Sequence, residues 1–313
     1  MRIFAGNANR VLAERIVSSL GVELGDVTLR HFSDGEIYCK FNENIRGEDV
    51  FIVQGTQPPA EHLMELLIMI DAAKRASARR VTAVIPYYGY ARSDRKSEPR
   101  VSISSKLCAN LIVTAGADRV LTMDLHSPQI QGFFDIPFDH LYGSPAFMDF
   151  ILDMQIEGLV VVAPDVGGVK LAGSYAKKLN AALAILDKRR PKPNEAAIHN
   201  VIGDVAGHNI LIIDDMVDTA GTLVKGTEVL KQQGAKRIIA ACIHPILSGK
   251  ARDVINDSPI EMLAVSDTVP IPNDRMSDKL VVVSVAHLFA EAIERINEEK
   301  SISSLFDWKI VSA

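Results

Sequence analysis

The chain has 313 residues, of which 48% are hydrophobic and 23% charged, with a formal net charge of −5. That length fits about two domains, and the composition is that of a globular chain rather than a disordered one. The acidic balance argues against a duplex nucleic-acid binder, which needs a basic surface.

Short β-branched runs alternate with longer helical patterns. Residues 2–5 predict a strand, and 8–20 an amphipathic helix ending at Gly21. Strands follow at 28–31 and 50–54, then a helix at 62–77 with Leu63, Leu66, Leu67 and Ile70 on one face. A strand at 81–85 ends at Pro86, and a helix at 102–115 leads to a strand at 119–123. Gly143 and Pro145 interrupt the pattern. Beyond them, strands are predicted at 159–163, 182–186, 210–213 and 237–242, and helices at 169–179 and 222–233. A closing helix at 286–300 carries a tail free to pack on either domain. This rhythm predicts an α/β fold of two tandem, mostly parallel sheets flanked by helices, spanning residues 1–144 and 145–313. The three cysteines, Cys39, Cys108 and Cys242, give no CxxC spacing and no complete disulfide framework, so they read as small buried apolar residues in a reducing compartment. Residues 1–6 lack the order of a signal peptide, and the apolar run 63–70 is too short to span a bilayer, so a cytoplasmic protein without membrane or nucleic-acid partners is expected.

In open parallel sheets, ligands sit beyond the carboxyl ends of strands. After the strand at 210–213 come Asp214, Asp215, Met216, Val217, Asp218, Thr219, Ala220, Gly221 and Thr222, then a helix. The paired acids suit sugar hydroxyls or a hydrated metal, and the helix start suits a phosphate, with Thr219 and Thr222 as donors and Thr222 also as a cap. Taken alone, a strand ending in solvated acids explains the segment equally well. Phe32, Ser33, Asp34, Gly35 and Glu36 follow another strand and offer an aromatic face with two acceptors, or simply a turn with an aromatic anchor. Arg92, Ser93, Asp94, Arg95, Lys96 and Arg100 form a basic loop after the strand at 81–85, suited to polyphosphate or to solvent. Asp124, Leu125 and His126 follow the strand at 119–123, where His126 is suited to a cation or a phosphate oxygen, or to a purely structural role. Asp165, Gly167 and Gly168 follow the strand at 159–163; the glycines permit close backbone approach and the acid is placed to hold Mg²⁺, or the segment is a tight turn with a solvated acid. Lys188, Arg189, Arg190 and Lys192 follow the strand at 182–186 and suit a mobile phosphate clamp or, taken alone, a solvated loop.

Each cluster is weak singly, but all follow strands, and their groups are complementary. The segment from Asp214 to Thr222 resembles the ribose-phosphate loop of the phosphoribosyltransferase superfamily. Nearly the whole chain resembles ribose-phosphate diphosphokinase, through FSDGEI, NENIRGEDVFIVQ, VTAVIPYYGYAR, TMDLHSPQIQGFFDIP, PDVGG, DKRRP, IIDDMVDTAGTL and LAVSDTVPIP, and most closely its phosphate-activated bacterial class. The resemblance implies two phosphoribosyltransferase-like domains with the active site between them. It implies transfer of the ATP diphosphoryl group to the C1 hydroxyl of ribose 5-phosphate with Mg²⁺ as cofactor.

Carried onto this chain, the resemblance implies that Phe32 stacks on adenine while Asp34 and Glu36 read its amino edge. In the family these three come from a neighbouring subunit, so a homo-oligomer, a hexamer, is implied. Arg92, Ser93, Asp94, Arg95, Lys96 and His126 are implied in ATP binding, and His126 and Asp165 in metal binding. Asp165, Asp214, Asp215, Asp218, Thr219, Ala220, Gly221 and Thr222 are implied in ribose 5-phosphate binding. Lys188 and Arg190 are implied in transition-state stabilisation, with His126 also in the catalytic set. Arg46 is implied in regulation by inorganic phosphate and ADP. The chain departs from the family at Ser93, where Gln is common, at Leu171 and Gly173, where Arg is common, and over residues 97–102. It has no P-loop, since Gly168 and Gly173 have the spacing but Ser174 replaces the Lys. Two rivals stand beside this reading: a phosphoribosyltransferase, and a non-catalytic synthetase-associated regulatory subunit.

Overall fold

The computed structural model describes residues 1–192 and 195–305, with side chains at 188–199 and at 304 outside the description. The chain divides into two compact units, the first comprising residues 1–143, 268–270 and 285–305, the second 144–267 and 271–284. Each is built on one mostly parallel sheet with helices packed against it, the tandem α/β architecture expected from the alternating pattern.

The first unit begins with β1 (Arg2–Ala5), α1 (Arg10–Leu20), β2 (Val27–His31), β3 (Ile37–Phe41), β4 (Asp49–Val53) and α2 (Glu61–Arg75). It continues with β5 (Arg80–Ile85), α3 (Ser104–Ala115), β6 (Arg119–Met123) and β7 (Phe138–Leu141). The five-stranded sheet has the order β1-β4-β5-β6-β7 and is parallel throughout. Helices on both faces bury β4 completely, which is why it reads as a continuous apolar run after Asp49. The hairpin β2–β3 stands apart as a two-stranded antiparallel sheet. Its odd-numbered Val27, Leu29, Cys39 and Phe41 pack on the core, and β3 is an element the sequence reading did not contain.

The second unit contains α4 (Ser144–Asp153), β8 (Leu159–Ala163), α5 (Val169–Lys178), β9 (Ala182–Lys192), β10 (Glu195–Ile202) and β11 (Asn209–Val217). It continues with α6 (Gly221–Gln232), β12 (Ile238–Pro245), α7 (Ala251–Asn256), β13 (Met262–Ser266) and β14 (Leu280–Val283). The closing helix α8 (Ala286–Asn297) belongs to the first unit, where it packs on α1, so the division differs from a plain break at residue 144. Residues 306–313, the expected tail, lie outside the described residues.

The second sheet runs β10-β9-β8-β11-β12-β13-β14. The chain starts in the middle at β8, winds outward to β10, then crosses back to β11. Strand order therefore reverses between β8 and β11, the place where an open parallel sheet forms its ligand crevice.

Two strands are longer than their sequence predicts. β9 does not stop at residue 186 but continues to Lys192, paired antiparallel with β10. The basic run 187–192 is thus backbone of a hairpin arm rather than a loop. Cations and Pro191 disguise it, yet the ladder gives the backbone groups partners, and the register shifts between Glu195 and Ala197, where a proline without an N–H is tolerated. β11 likewise runs to Val217, so Asp214 and Asp215 lie within the strand. Among the described residues, no helix is long and apolar enough to cross a membrane.

Candidate active site

In the second unit, Asp165 follows β8 and Asp214 and Asp215 follow the part of β11 that pairs with β8, so the three acids lie at the same end of the sheet, at the reversal of strand order. The Asp215 N–H donates to Asp214 Oδ1 at 2.9 Å. Burial pushes the Asp214 carboxyl well above the usual carboxylate range, reinforced by the neighbouring Asp215 charge and by Asp165. Such a cluster favours a ligand that donates hydrogen bonds or carries positive charge. The Asp165 Oδ1 accepts from the Gly168 N–H at 3.1 Å. A Cβ at Gly167 would lie 3.1 Å from that same oxygen, so this glycine makes room for Asp165 itself.

After β11, Asp218 turns into α6. Its carboxylate accepts from the Ser248 hydroxyl, and its carbonyl from the Ser248 N–H at 3.1 Å. This ties the loop after β11 to the loop after β12, which the parallel pairing of the two strands places side by side. Thr222 does not cap α6. The N-cap is Ala220, in the left-handed region at φ 60, and no side-chain cap bond is made there. The first-turn N–H groups of α6 keep the anion-binding character that Thr219, Gly221 and Thr222 suggest in sequence.

In the first unit, the loop after β5 is anchored at its base and exposed at its tip. The buried Tyr88 hydroxyl donates to the Ser105 carbonyl at 2.8 Å, at the start of α3. The Gly89 N–H donates to Thr56 Oγ1 at 2.7 Å, and a Cβ at Gly89 would sit 2.0 Å from the Thr56 carbonyl oxygen, so only glycine fits. Beyond buried Ala91, Arg92, Arg95, Lys96 and Arg100 are exposed, while Ser93 and Asp94 are half-buried. The next strand, β6, ends in a second anchored loop. Asp124, at φ 37, accepts from the Gly143 N–H at 2.6 Å, and the Leu125 N–H donates to His140 Nε2 at 2.9 Å. His126 follows these anchors and is exposed. Because β5 and β6 pair in parallel, the basic loop and His126 leave the same end of the sheet.

Phe32, Asp34 and Glu36 occupy the exposed turn of the β2–β3 hairpin, where the Glu36 N–H donates to Asp34 Oδ1 at 3.1 Å. Arg46 is exposed in the loop before β4. The side chains of Lys188 and Arg190 lie outside the described residues. The cysteines are free; Cys108 and Cys242 are buried and Cys39 half-buried, and burial pushes the Cys39 and Cys108 thiols up to about 11. Sequence reading missed Ser248, Asp124, His140 and Thr56 as loop anchors, because each acts through a partner on an adjacent strand.

Among the described residues no group of three His, Cys, Asp or Glu side chains is gathered as a metal cage. Mg²⁺ keeps several waters and takes one or two carboxylates plus substrate phosphates, and the shielded acids around Asp165 are hard oxygen donors of that kind. The donor set fits the ion.

Comparison with known proteins identifies the family. A family model described as the N-terminal domain of ribose phosphate pyrophosphokinase matches residues 1–116, and one described as a phosphoribosyl synthetase-associated domain matches 190–307. A ribose-phosphate pyrophosphokinase of Chlorobaculum tepidum is 56% identical over 100% of this chain and 97% of its own length. That of Bacillus caldolyticus is 53% identical over 98% of both chains. The crystal structure of phosphoribosylpyrophosphate synthetase from Mycobacterium smegmatis superposes with a TM-score of 0.89 at 39% identity, covering 95% of this chain and 99% of that one. With more than half its residues shared along its entire length, the chain belongs to the ribose-phosphate pyrophosphokinase family.

Proposed function

We propose that the protein is a catalytically competent member of this family. It transfers the diphosphoryl group of ATP to the C1 hydroxyl of ribose 5-phosphate, giving 5-phosphoribosyl 1-diphosphate and AMP. The observation that carries the assignment of sites is the acid trio at the reversal of strand order, beside an uncapped helix start. Asp214 and Asp215 accept from the ribose hydroxyls and fix the sugar, while the backbone of residues 218–222 holds the 5-phosphate. Asp218 acts through Ser248, because a carboxylate repels phosphate and here shapes the loop instead.

The C1 oxygen attacks the β-phosphorus in line, the bond from that phosphorus to the α-phosphate oxygen breaks, and AMP leaves. Arg92, Ser93, Asp94, Arg95 and Lys96 grip the nucleotide, while Phe32, Asp34 and Glu36 take its base. Lys188 and Arg190 offset the charge on the diphosphoryl oxygens, the main demand of phosphoryl transfer. Asp165 and His126 are the residues that would hold Mg²⁺, which would supply charge neutralisation on the phosphates. Lys188→Ala is expected to lower kcat by on the order of 10² while ATP binding stays nearly intact, and an unchanged kcat removes Lys188 from the mechanism.

The deciding experiment incubates pure protein with ATP, Mg²⁺ and ribose 5-phosphate and follows AMP. Absence of AMP, with and without inorganic phosphate, overturns the reading. A non-catalytic regulatory reading has one observation in its favour, the synthetase-associated domain matched at 190–307, and AMP formation in the same assay would exclude it. The family resemblance further supports the phosphate-activated class, a cytoplasmic homohexamer, and Arg46 as part of a site for phosphate and ADP. Undiminished phosphate activation and ADP inhibition in Arg46→Ala excludes Arg46, and a single-chain mass in light scattering excludes the hexamer.

A further inference from the structure

The β2–β3 hairpin presents more than an exposed phenylalanine. Its register pairs Arg30 with Tyr38. Since Val27, Leu29, Cys39 and Phe41 face the core, alternation puts Arg30 and Tyr38 on the outer face. There the Arg30 guanidinium carbon lies 4.8 Å from the centre of the Phe32 ring and 4.4 Å from that of Tyr38. The two rings meet edge to face, with centroids 5.6 Å apart and planes at 79°. Phe32 remains 44% exposed, so an apolar ring at the tip of a turn is held by a cation and a second ring instead of by the core.

We propose that Arg30 and Tyr38 are positioning residues that fix the Phe32 ring for stacking on the purine of ATP. The inference rests on the reading of Phe32 given above. A lone exposed Phe samples several rotamers and loses that freedom on binding; the guanidinium and the Tyr38 edge hold it beforehand. The cation also draws π density from the ring, which improves stacking with an electron-rich purine on the open face.

The test is steady-state kinetics of the full-length enzyme with Mg²⁺, varying ATP and ribose 5-phosphate separately. Arg30→Ala and Tyr38→Ala are expected to raise KM for ATP about three- to tenfold. Their kcat and KM for ribose 5-phosphate should stay within about twofold, and Tyr38→Phe, which keeps the ring, should restore KM for ATP. If Phe32→Ala raises KM for ATP but Arg30→Ala does not, the positioning role is overturned and the stacking role stands. If Phe32→Ala leaves KM for ATP unchanged, the stacking role falls and this inference with it. If all three parameters move together in Arg30→Ala, the residue serves the fold and the inference is likewise overturned.

Discussion

Replacing Asp214 and Asp215 together by Asn is expected to lower kcat/KM for ribose 5-phosphate by about 10²–10⁴, with KM for ATP changed far less. Each carboxylate offers the sugar a charge-assisted hydrogen bond worth ~1.5–3 kcal/mol, and every ~1.4 kcal/mol is a factor of ten. Asn keeps the shape and one acceptor, so what is removed is charge. Loss of activity through unfolding is not expected. Burial raises the Asp214 pKa, followed by the Asp215 charge, so the pair costs the fold stability once pH exceeds the unfolded-state value. The double variant should therefore melt no lower than the parent at neutral pH, because the acids are kept for the ligand at the expense of stability. Retained kcat/KM removes the pair from substrate binding, and a lowered melting temperature removes the claim that the acids cost the fold stability.

The acids were legible in sequence because their signal is local. An apolar strand followed by carboxylates, small residues and a helix marks a strand end whatever the rest of the chain does. What sequence could not supply is their company. Asp165 reaches Asp214 only because β8 and β11 pair across the reversal of strand order, 49 positions apart in the chain. Ser248 reaches Asp218, and His140 reaches Leu125, for the same reason: the partner lies on or just beyond a neighbouring strand. Thr222 shows the opposite error, since a hydroxyl suited to capping sits two residues past the N-cap, Ala220.

Among fold elements, most of the amphipathic helices and buried strands stood out, whereas β3, β7, β10, β13 and β14 and the helices α4 and α7 were not expected. β3 and β10 pair antiparallel with the strands before them and carry mixed polar and apolar residues without a continuous run. The basic stretch of β9 escapes sequence reading because a run of cations carries no apolar periodicity, and because its ladder is made by β10 alone beyond Ile185. The closing helix was placed correctly along the chain, but its docking on α1 in the first unit depends on complementary faces, not on adjacency.

That docking yields the second large effect. Asp49→Ala is expected to destabilise the first unit by about 3 kcal/mol. Asp49 is 2% exposed and accepts from Arg79 at 3.1 and 2.8 Å and from Arg80 at 2.6 Å. Breaking a buried pair costs ~3–5 kcal/mol, but Arg79 can turn to water, where ion pairs are worth ~0–1 kcal/mol, so the lower end applies. Arg80 cannot turn away so easily, being 23% exposed and also donating to the Ile296 carbonyl of α8 at 2.9 Å. Burial alone would raise the Asp49 carboxyl, but the Arg79 hydrogen bond and both guanidinium charges outweigh it and hold it below the usual range. A depressed carboxylate contributes its stability above the unfolded pKa of ~3.9 and loses it as pH falls through the folded value. Parent and variant should thus differ fully at pH 7 and begin to converge only below about pH 4, as pH falls toward the depressed folded value. Urea unfolding across that range reads the difference, and hydrogen exchange in α8 should quicken in the variant, because Arg80 couples the Asp49 end of β4 to the last turn of that helix. A loss under about 1 kcal/mol, or α8 exchange unchanged, would show that apolar contact with α1 holds the helix without the charge relay.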